Sequence, residues 1–268
     1  MKSKQDNLAV VITGAGRGLG RALALHWARQ GGQLLLVARD AAQLEQVAAE
    51  VAQAGGRAWV LAVDVAQPGS AQLIAQTAHA VLGGVDVLVL NASTLGPVPM
   101  PLLADLSPDD VARVVAVNLL APWQLLHALG GAMALRNPAA TVVTLSSDAA
   151  VNAYPSWGAY SVTKAALDQL VRNWAAESPL RIIAVDPGEM ATQMHAAALP
   201  DADPATLADP AIVAAAVAAM VADPNAAPSG SRQLAQAWGH TDCTSASPRA
   251  GTETRPYPDR ITGKGVQS

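Results

Sequence analysis

The chain has 268 residues, enough for one large domain or two small ones, and 51% of them are hydrophobic against 14% charged. A sizeable core is therefore available, and a formal net charge of −4 argues against a general nucleic-acid surface. The one cysteine, Cys243, excludes an internal disulfide, no Cys/His group has zinc-ligand spacing, and no metal is expected.

Taken in chain order, the opening segment MKSKQDNLAV is too polar for a signal peptide. LAVVITG reads as a buried strand, and Leu19 to Gln30 as a helix closed by two glycines. QLLLVAR is a second strand, and Ala41 to Ala54 a helix with leucine and valine at helical spacing. AWVLAVDV is a third strand, followed by a helix from Ser70 to Leu82, and VDVLVLNA is a fourth. Ser107 to Asp110 combines an N-cap serine, a first-turn proline and two acids at the positive helix end. It opens a long helix running to about Arg136, with a kink expected at Pro122. TVVTLSS is a fifth strand, and a helix carrying Tyr160 and Lys164 follows, stopping at Ser178. LRIIAVDPG is a sixth strand, and SGSRQLAQAW supplies an edge strand. The longest clean apolar run, Ala211 to Ala222, is too short to span a bilayer, so a cytoplasmic protein with no membrane attachment is expected. Apolar strands alternating with helices predict a single α/β domain over residues 1–238, its parallel sheet covered on both faces. From Gly239 onward Thr, Ser, Pro, Gly and Arg dominate without periodicity, which predicts a disordered tail over 239–268.

VVITGAGRGLGRALA places Gly14, Gly16, Gly18 and Gly20 between a strand and a helix. Glycines let the backbone turn sharply and approach a pyrophosphate, and the helix N-terminus then offers free N–H groups. An ordinary βα turn is the bland alternative. At the end of the second strand, an acid would bind a ribose 2′-hydroxyl and an arginine would accommodate a 2′-phosphate. The chain has Ala38-Arg39 there, with Arg17 in the glycine loop, which favours NADP(H) over NAD(H). Asp40 lies beyond the position of a ribose acid.

GAYSVTKAAL sets Tyr160 four residues before Lys164, so both lie on one helix face. A nearby ammonium is expected to stabilise phenolate and draw the tyrosine below its free value of about 10. A proton donor matched to working pH is what carbonyl reduction requires. Ser147 stands thirteen residues earlier, just past the fifth strand, where open α/β sheets bind ligands. Ser146 is the neighbouring alternative.

The spacing Thr-Gly-x-x-x-Gly-x-Gly, the Ser147 and Tyr-x-x-x-Lys set, LNAS after the fourth strand and DPGEMAT after the sixth resemble the short-chain dehydrogenase/reductase family over residues 8 to about 237. The resemblance implies a Rossmann-like, doubly wound, three-layer α/β/α fold. It places Gly14, Gly18, Leu19 and Gly20 on the cofactor's adenosine and pyrophosphate, with Thr13 as a structural start, and leaves Arg17 as a second cation near the 2′-phosphate. Arg39 would take the 2′-phosphate, and Asp64 and Val65 the adenine. Asn91 and Ala92 match the family's Asn-Asn-Ala-Gly segment, from which Leu90 and Ser93 depart. Pro187, Gly188, Met190 and Thr192 would hold the nicotinamide. Tyr160 would protonate the substrate oxygen, Lys164 would tune Tyr160 and bind the ribose, Ser147 would polarise the carbonyl, and Asn118 would hold a water in a proton relay.

The expected activity is hydride transfer between NADP(H) and a small carbonyl or secondary-alcohol substrate. A 3-oxoacyl thioester reductase is a narrower possibility, and a non-catalytic NADP-binding regulatory protein an alternative of another class. A serine hydrolase lacks its Gly-x-Ser-x-Gly elbow here. The segment from Glu189 to about Asp209 is expected to be a mobile substrate loop, with Tyr154, Trp157, Met194 and His195 as candidate lining. The excess of apolar residues on the long helix and the Tyr160 helix, which the family often pairs between subunits, predicts a homodimer or homotetramer. The family's common Asp-Gly-Gly ending is missing from the tail.

Overall fold

The apolar runs form seven strands: β1 (Ala9–Thr13), β2 (Gln33–Ala38), β3 (Arg57–Ala62), β4 (Val87–Leu90), β5 (Thr141–Leu145), β6 (Arg181–Asp186) and β7 (Arg232–Leu234). The computed structural model describes residues 7–238, so the expectation for the 239–268 tail lies outside the described residues. All neighbouring strands are parallel, in the order β3-β2-β1-β4-β5-β6-β7. β1, β4 and β5 are buried along their whole length, as continuous Val/Leu/Ile-rich runs require of a central parallel strand. The edge strands β3 and β7 are partly exposed.

The helices are α1 (Gly18–Ala28), α2 (Ala41–Gln53), α3 (Ser70–Leu82), α4 (Pro108–Val115), α5 (Ala121–Arg136), α6 (Gly158–Glu177), α7 (Gln193–Ala198) and α8 (Pro210–Ala222). One core joins α1, α2 and α8 to one sheet face, with Trp27 its largest fully buried side chain. A second core joins α3, α5 and α6 to the other. The strand order reverses between β1 and β4, which opens a crevice at the strands' C-terminal ends.

Local chemistry sets the helix starts. Asp40 caps α2 by accepting from the Gln43 N–H, Ser107 caps α4, and Asp209 caps α8 ahead of Pro210. By contrast, Arg17 gives α1 no side-chain cap, which leaves that helix N-terminus available to a ligand.

The long helix departs from its expected form. Its irregularity is a π-helical turn at Ala116–Leu120, upstream of Pro122. Pro122 sits in the first turn of α5, where its missing N–H goes unneeded. Pro108–Arg136 is long and apolar enough to cross a bilayer, but half of its most apolar window is buried inside the fold.

The segment expected to be a mobile loop is organised. It carries α7 and a 3-10 turn at Pro204–Thr206, capped by Thr192 and Asp203. Its base is closed by the Ala191 N–H donating to the Ala208 carbonyl and the Ala208 N–H donating to the Glu189 carbonyl, both at 3.0 Å. Side-chain caps outweigh the loop-like composition on which the expectation rested.

Candidate active site

A cleft of about 760 Å³ opens over the C-terminal ends of β1, β2, β4, β5 and β6. Thr13 ends β1 and anchors its floor. Its hydroxyl accepts from the N–H groups of Asn91 and Ala92 at 3.0 and 3.1 Å and donates to the Val89 carbonyl. The Asn91 amide in turn donates to the carbonyls of Thr13 and Gly14 at 2.9 and 3.1 Å. The glycine loop is thus laid on the end of β4 with no room for side chains. A Cβ on Gly14, which has φ +67°, would meet Asn91 Nδ2 at 2.7 Å, and one on Gly20 would strike the Gly14 carbonyl. Gly18, also left-handed, faces Thr192. Leu19 is buried beneath the loop and lines the cleft.

At the far end the lining includes Arg17, Ala38, Arg39, Gln43, Asp64, Val65 and Arg113. Arg39 is exposed at the cleft edge. Asp40 is engaged as the α2 cap and points its carboxylate at the Gln43 N–H. Arg113 Nη2 donates to Asp64 Oδ2 at 2.6 Å. Burial works to raise the Asp64 carboxyl, but that bond, the Ala66 N–H and the charges of Arg113 and Arg39 hold it below the usual range. Arg17 Nη1 donates to Gln193 Oε1 at 2.6 Å, tying the glycine loop to α7. Pro187, Met190, Thr192 and Met194 close the other wall. Gly188 turns the chain at φ +71°, with the Gln236 amide packed where a Cβ would lie.

Tyr160 and Lys164 are both buried on one face of α6, the lysine Nζ 5.3 Å from the tyrosine ring centroid. Trp157 meets the Tyr160 ring edge-on at 5.6 Å and Tyr154 at 6.4 Å. The expected downward pull on Tyr160 is not what the site imposes. Burial pushes its pKa up, with Asp186 and Asp148 adding to the rise and the Ser147 hydroxyl opposing it. Lys164 Nζ donates instead to the Leu145 carbonyl at 2.7 Å. Burial draws the ammonium down to about 8, against the pull of Asp168 and Asp186. An ammonium has three donors, so two remain for other partners.

Ser147 donates to Asp148 Oδ1 at 3.0 Å and accepts from the Ala149 N–H at 3.2 Å. Tyr154 Oη donates to Asp148 Oδ2 at 2.7 Å, and that bond is the main reason its pKa is pushed up to about 12. Ser146, the alternative serine, lies in the cleft wall with its hydroxyl buried and unpartnered.

Asn118 lies in the π-helical turn, and its side chain is fully engaged. Nδ2 donates to the Thr94 carbonyl at 2.9 Å and to Thr163 Oγ1 at 3.1 Å. Oδ1 accepts from the Thr94 N–H at 2.8 Å and the Ser93 hydroxyl at 3.1 Å. The amide has two donors and two acceptor sites, all used, so its side chain clamps the loop after β4 to α6. Ser93, the departure from the family pattern, supplies one of those bonds.

His195 lies apart from the lining. Its ring nitrogens are buried without hydrogen bonds, and Glu189 Oε1 stands 4.0 Å from Nε2. Asp148, Arg113 and Gln193 join the site without having been expected from the sequence. Asp148, adjacent to Ser147, carried the clearest signal; the other two are brought in by the fold.

The chain matches the family described as short chain dehydrogenase over residues 8–203. It belongs to the short chain dehydrogenase family. Members are oxidoreductases, and so is this chain. The 7alpha-hydroxysteroid dehydrogenase of Escherichia coli strain K12 is 30% identical over 190 residues, which cover 70% of this chain and 72% of that protein. A short chain dehydrogenase from Salmonella enterica superposes with a TM-score of 0.80 at 27% identity, covering 88% of this chain and 98% of its own. An alcohol dehydrogenase from Thermococcus sibiricus, complexed with 5-hydroxy-NADP, superposes with a TM-score of 0.75 at 30% identity, covering 84% and 94%. The glycine cradle, with Arg17 and Arg39 at the same end of the cleft, fits a dinucleotide.

Proposed function

We propose that the protein uses NADP(H) to interconvert a carbonyl compound and its secondary alcohol. The observation that carries this reading is the buried Tyr160, backed by Lys164 and faced by Ser147, at the strand ends beside a glycine cradle. Arg17 and Arg39 support NADP(H), because a guanidinium recognises a 2′-phosphate bidentately. The Thermococcus enzyme's NADP derivative supports the same choice. Gly14, Gly18, Leu19 and Gly20 would hold the pyrophosphate, Asp64 and Val65 the adenine, and Pro187, Met190 and Thr192 the nicotinamide. When bound, the nicotinamide supplies or accepts the hydride.

The protein's own part is proton handling. Burial keeps the proton on Tyr160 at neutral pH, so the phenol is poised to donate to a substrate oxygen as negative charge develops there. Ser147 would hold that oxygen beside it by turning its hydroxyl from Asp148 to the substrate. Trp157, itself backed by Tyr154, keeps water from one edge of the ring. Lys164 has donors left for a ribose hydroxyl, and Asn118 fixes the loop that faces them. The exposed apolar side chains Leu120, Trp123 and Val162 on the π turn, α5 and α6 support a homodimer or homotetramer.

A carbonyl panel run with NADPH and NADH tests the reading, with NADPH expected to be the faster donor. Tyr160→Phe should bind NADPH as the parent does and lose at least about a hundredfold in turnover. Near-parental turnover in that variant would overturn the mechanism.

A further inference from the structure

Behind the reacting face lies a cation that none of the steps above uses. Arg232 opens the edge strand β7, in register with Ala184 of β6. Its Nε donates to Asp168 Oδ2 at 3.2 Å. Its Nη2 donates to Asp186 Oδ2 at 2.8 Å and to the Ser147 carbonyl at 2.9 Å. Asp168 lies one turn beyond Lys164 on α6. Asp186 ends β6, directly before Pro187-Gly188. One guanidinium therefore joins the Tyr160–Lys164 helix, the Ser147 segment and the turn on the nicotinamide side.

The charges are interdependent. Asp168 and Asp186 are 3% and 5% exposed, and a buried carboxylate is costly unless a cation faces it. Arg232 is one such cation, and Lys164, 3% exposed, is the other, since both acids act on it. The charged groups facing Tyr160 and Lys164 are Asp168 from α6, Asp186 from β6 and Asp148 from the turn after β5. Asp168 Oδ1 has no hydrogen-bond partner, so Asp168 leans on Arg232 through its other oxygen.

We propose that Arg232 is a positioning residue for proton transfer by Tyr160, holding Ser147 against α6 and neutralising the two buried acids behind the pair. The proposal rests on the reading of Tyr160 as proton donor. A lysine could keep the charge but not the three-way fork.

The test compares Arg232→Met, Arg232→Lys, Asp186→Asn and the Arg232→Met/Asp186→Asn double variant. In Arg232→Met the turnover number should fall about tenfold to a hundredfold through misplacement, with NADPH affinity by fluorescence quenching unchanged. The rising limb of the pH profile of alcohol oxidation should move to higher pH, because an unneutralised acid disfavours phenolate. Asp186→Asn should move it down, and the double variant should return it near the parental position. Arg232→Lys should restore the limb but not the turnover number.

A cofactor-free readout runs alongside. Without Arg232 the Asp186 carboxyl is raised further, so the folded state holds a proton that the unfolded chain sheds. The variant's deficit in urea midpoint should therefore grow as pH rises above the ordinary carboxylate range and shrink in the double variant. A pH-independent deficit with a superimposed limb would overturn the proposal. If Arg232→Met does not fold, an unmoved limb in Asp186→Asn would do the same. Failure of the underlying reading looks different: Tyr160→Phe would stay active, or the parent would reduce no carbonyl with NADPH.

Discussion

Tyr160 shows how a residue can be legible in position and misread in energetics. The four-residue interval to Lys164 placed both on one face, and the structure keeps them there. The interval could not show that Trp157 and the fold strip water from the phenol, or that Lys164 spends a donor on Leu145. Burial therefore wins over the Ser147 hydroxyl, and the tyrosine is raised. For Lys164 the same burial has a measurable consequence. Its folded value of about 8 lies below the ordinary 10.5, so the folded protein sheds this proton first. Above about pH 8 the unfolded chain binds more protons, and stability from this group rises with pH. Urea midpoints of the parent, compared with Lys164→Met, should improve between about pH 8 and 10. Tyr160 acts in the opposite direction, but only above its ordinary value of 10. The position of Ala38 and Arg39 at the cleft was readable because a strand end gives a fixed address. Ala38→Asp with Arg39→Ile should reverse the NADPH-over-NADH order in binding titrations, and equal affinities in the parent would remove the basis for it.

At the scale of elements, the strands were the most legible part, since a parallel sheet covered on both faces needs unbroken apolar runs. The helix starts were legible where a cap was written out, as at Ser107-Pro108. The π turn was not. Nothing in the apolar pattern marks Ala116–Leu120, because its cause is a tertiary clamp, the four hydrogen bonds of Asn118. Arg232 was illegible for the same reason, a single charge in an edge strand whose partners are distant in sequence. Asn118→Leu, close in volume, would leave the Thr94 N–H and carbonyl without partners in a partly buried place. Such groups cost about 1–3 kcal/mol each, so the urea midpoint should fall clearly. Turnover should fall with it as the loop after β4 loosens, and parental values for both would deny the clamp.

For the whole molecule, both sheet faces are covered by helices, yet apolar side chains remain outside. Trp123 on α5 and Val162 on α6 are 45% and 60% exposed. If a second copy covers them, Trp123→Glu with Val162→Glu should yield a smaller species by light scattering, with NADPH binding retained. An unchanged mass would place the contact elsewhere. A last consequence follows from the two backbone bonds that close residues 189 to 208 at their base. What they enclose, α7 and the 3-10 turn, begins and ends at neighbouring points of the sheet-end wall. Such a segment is an interchangeable cassette. Beyond Thr192 and the Gln193 tie to Arg17, its inner sequence can drift, lengthen or be exchanged for a relative's while the joints at Met190 and Ala208 keep their pairing. Evolution could thus change what the protein accepts without disturbing how it handles protons.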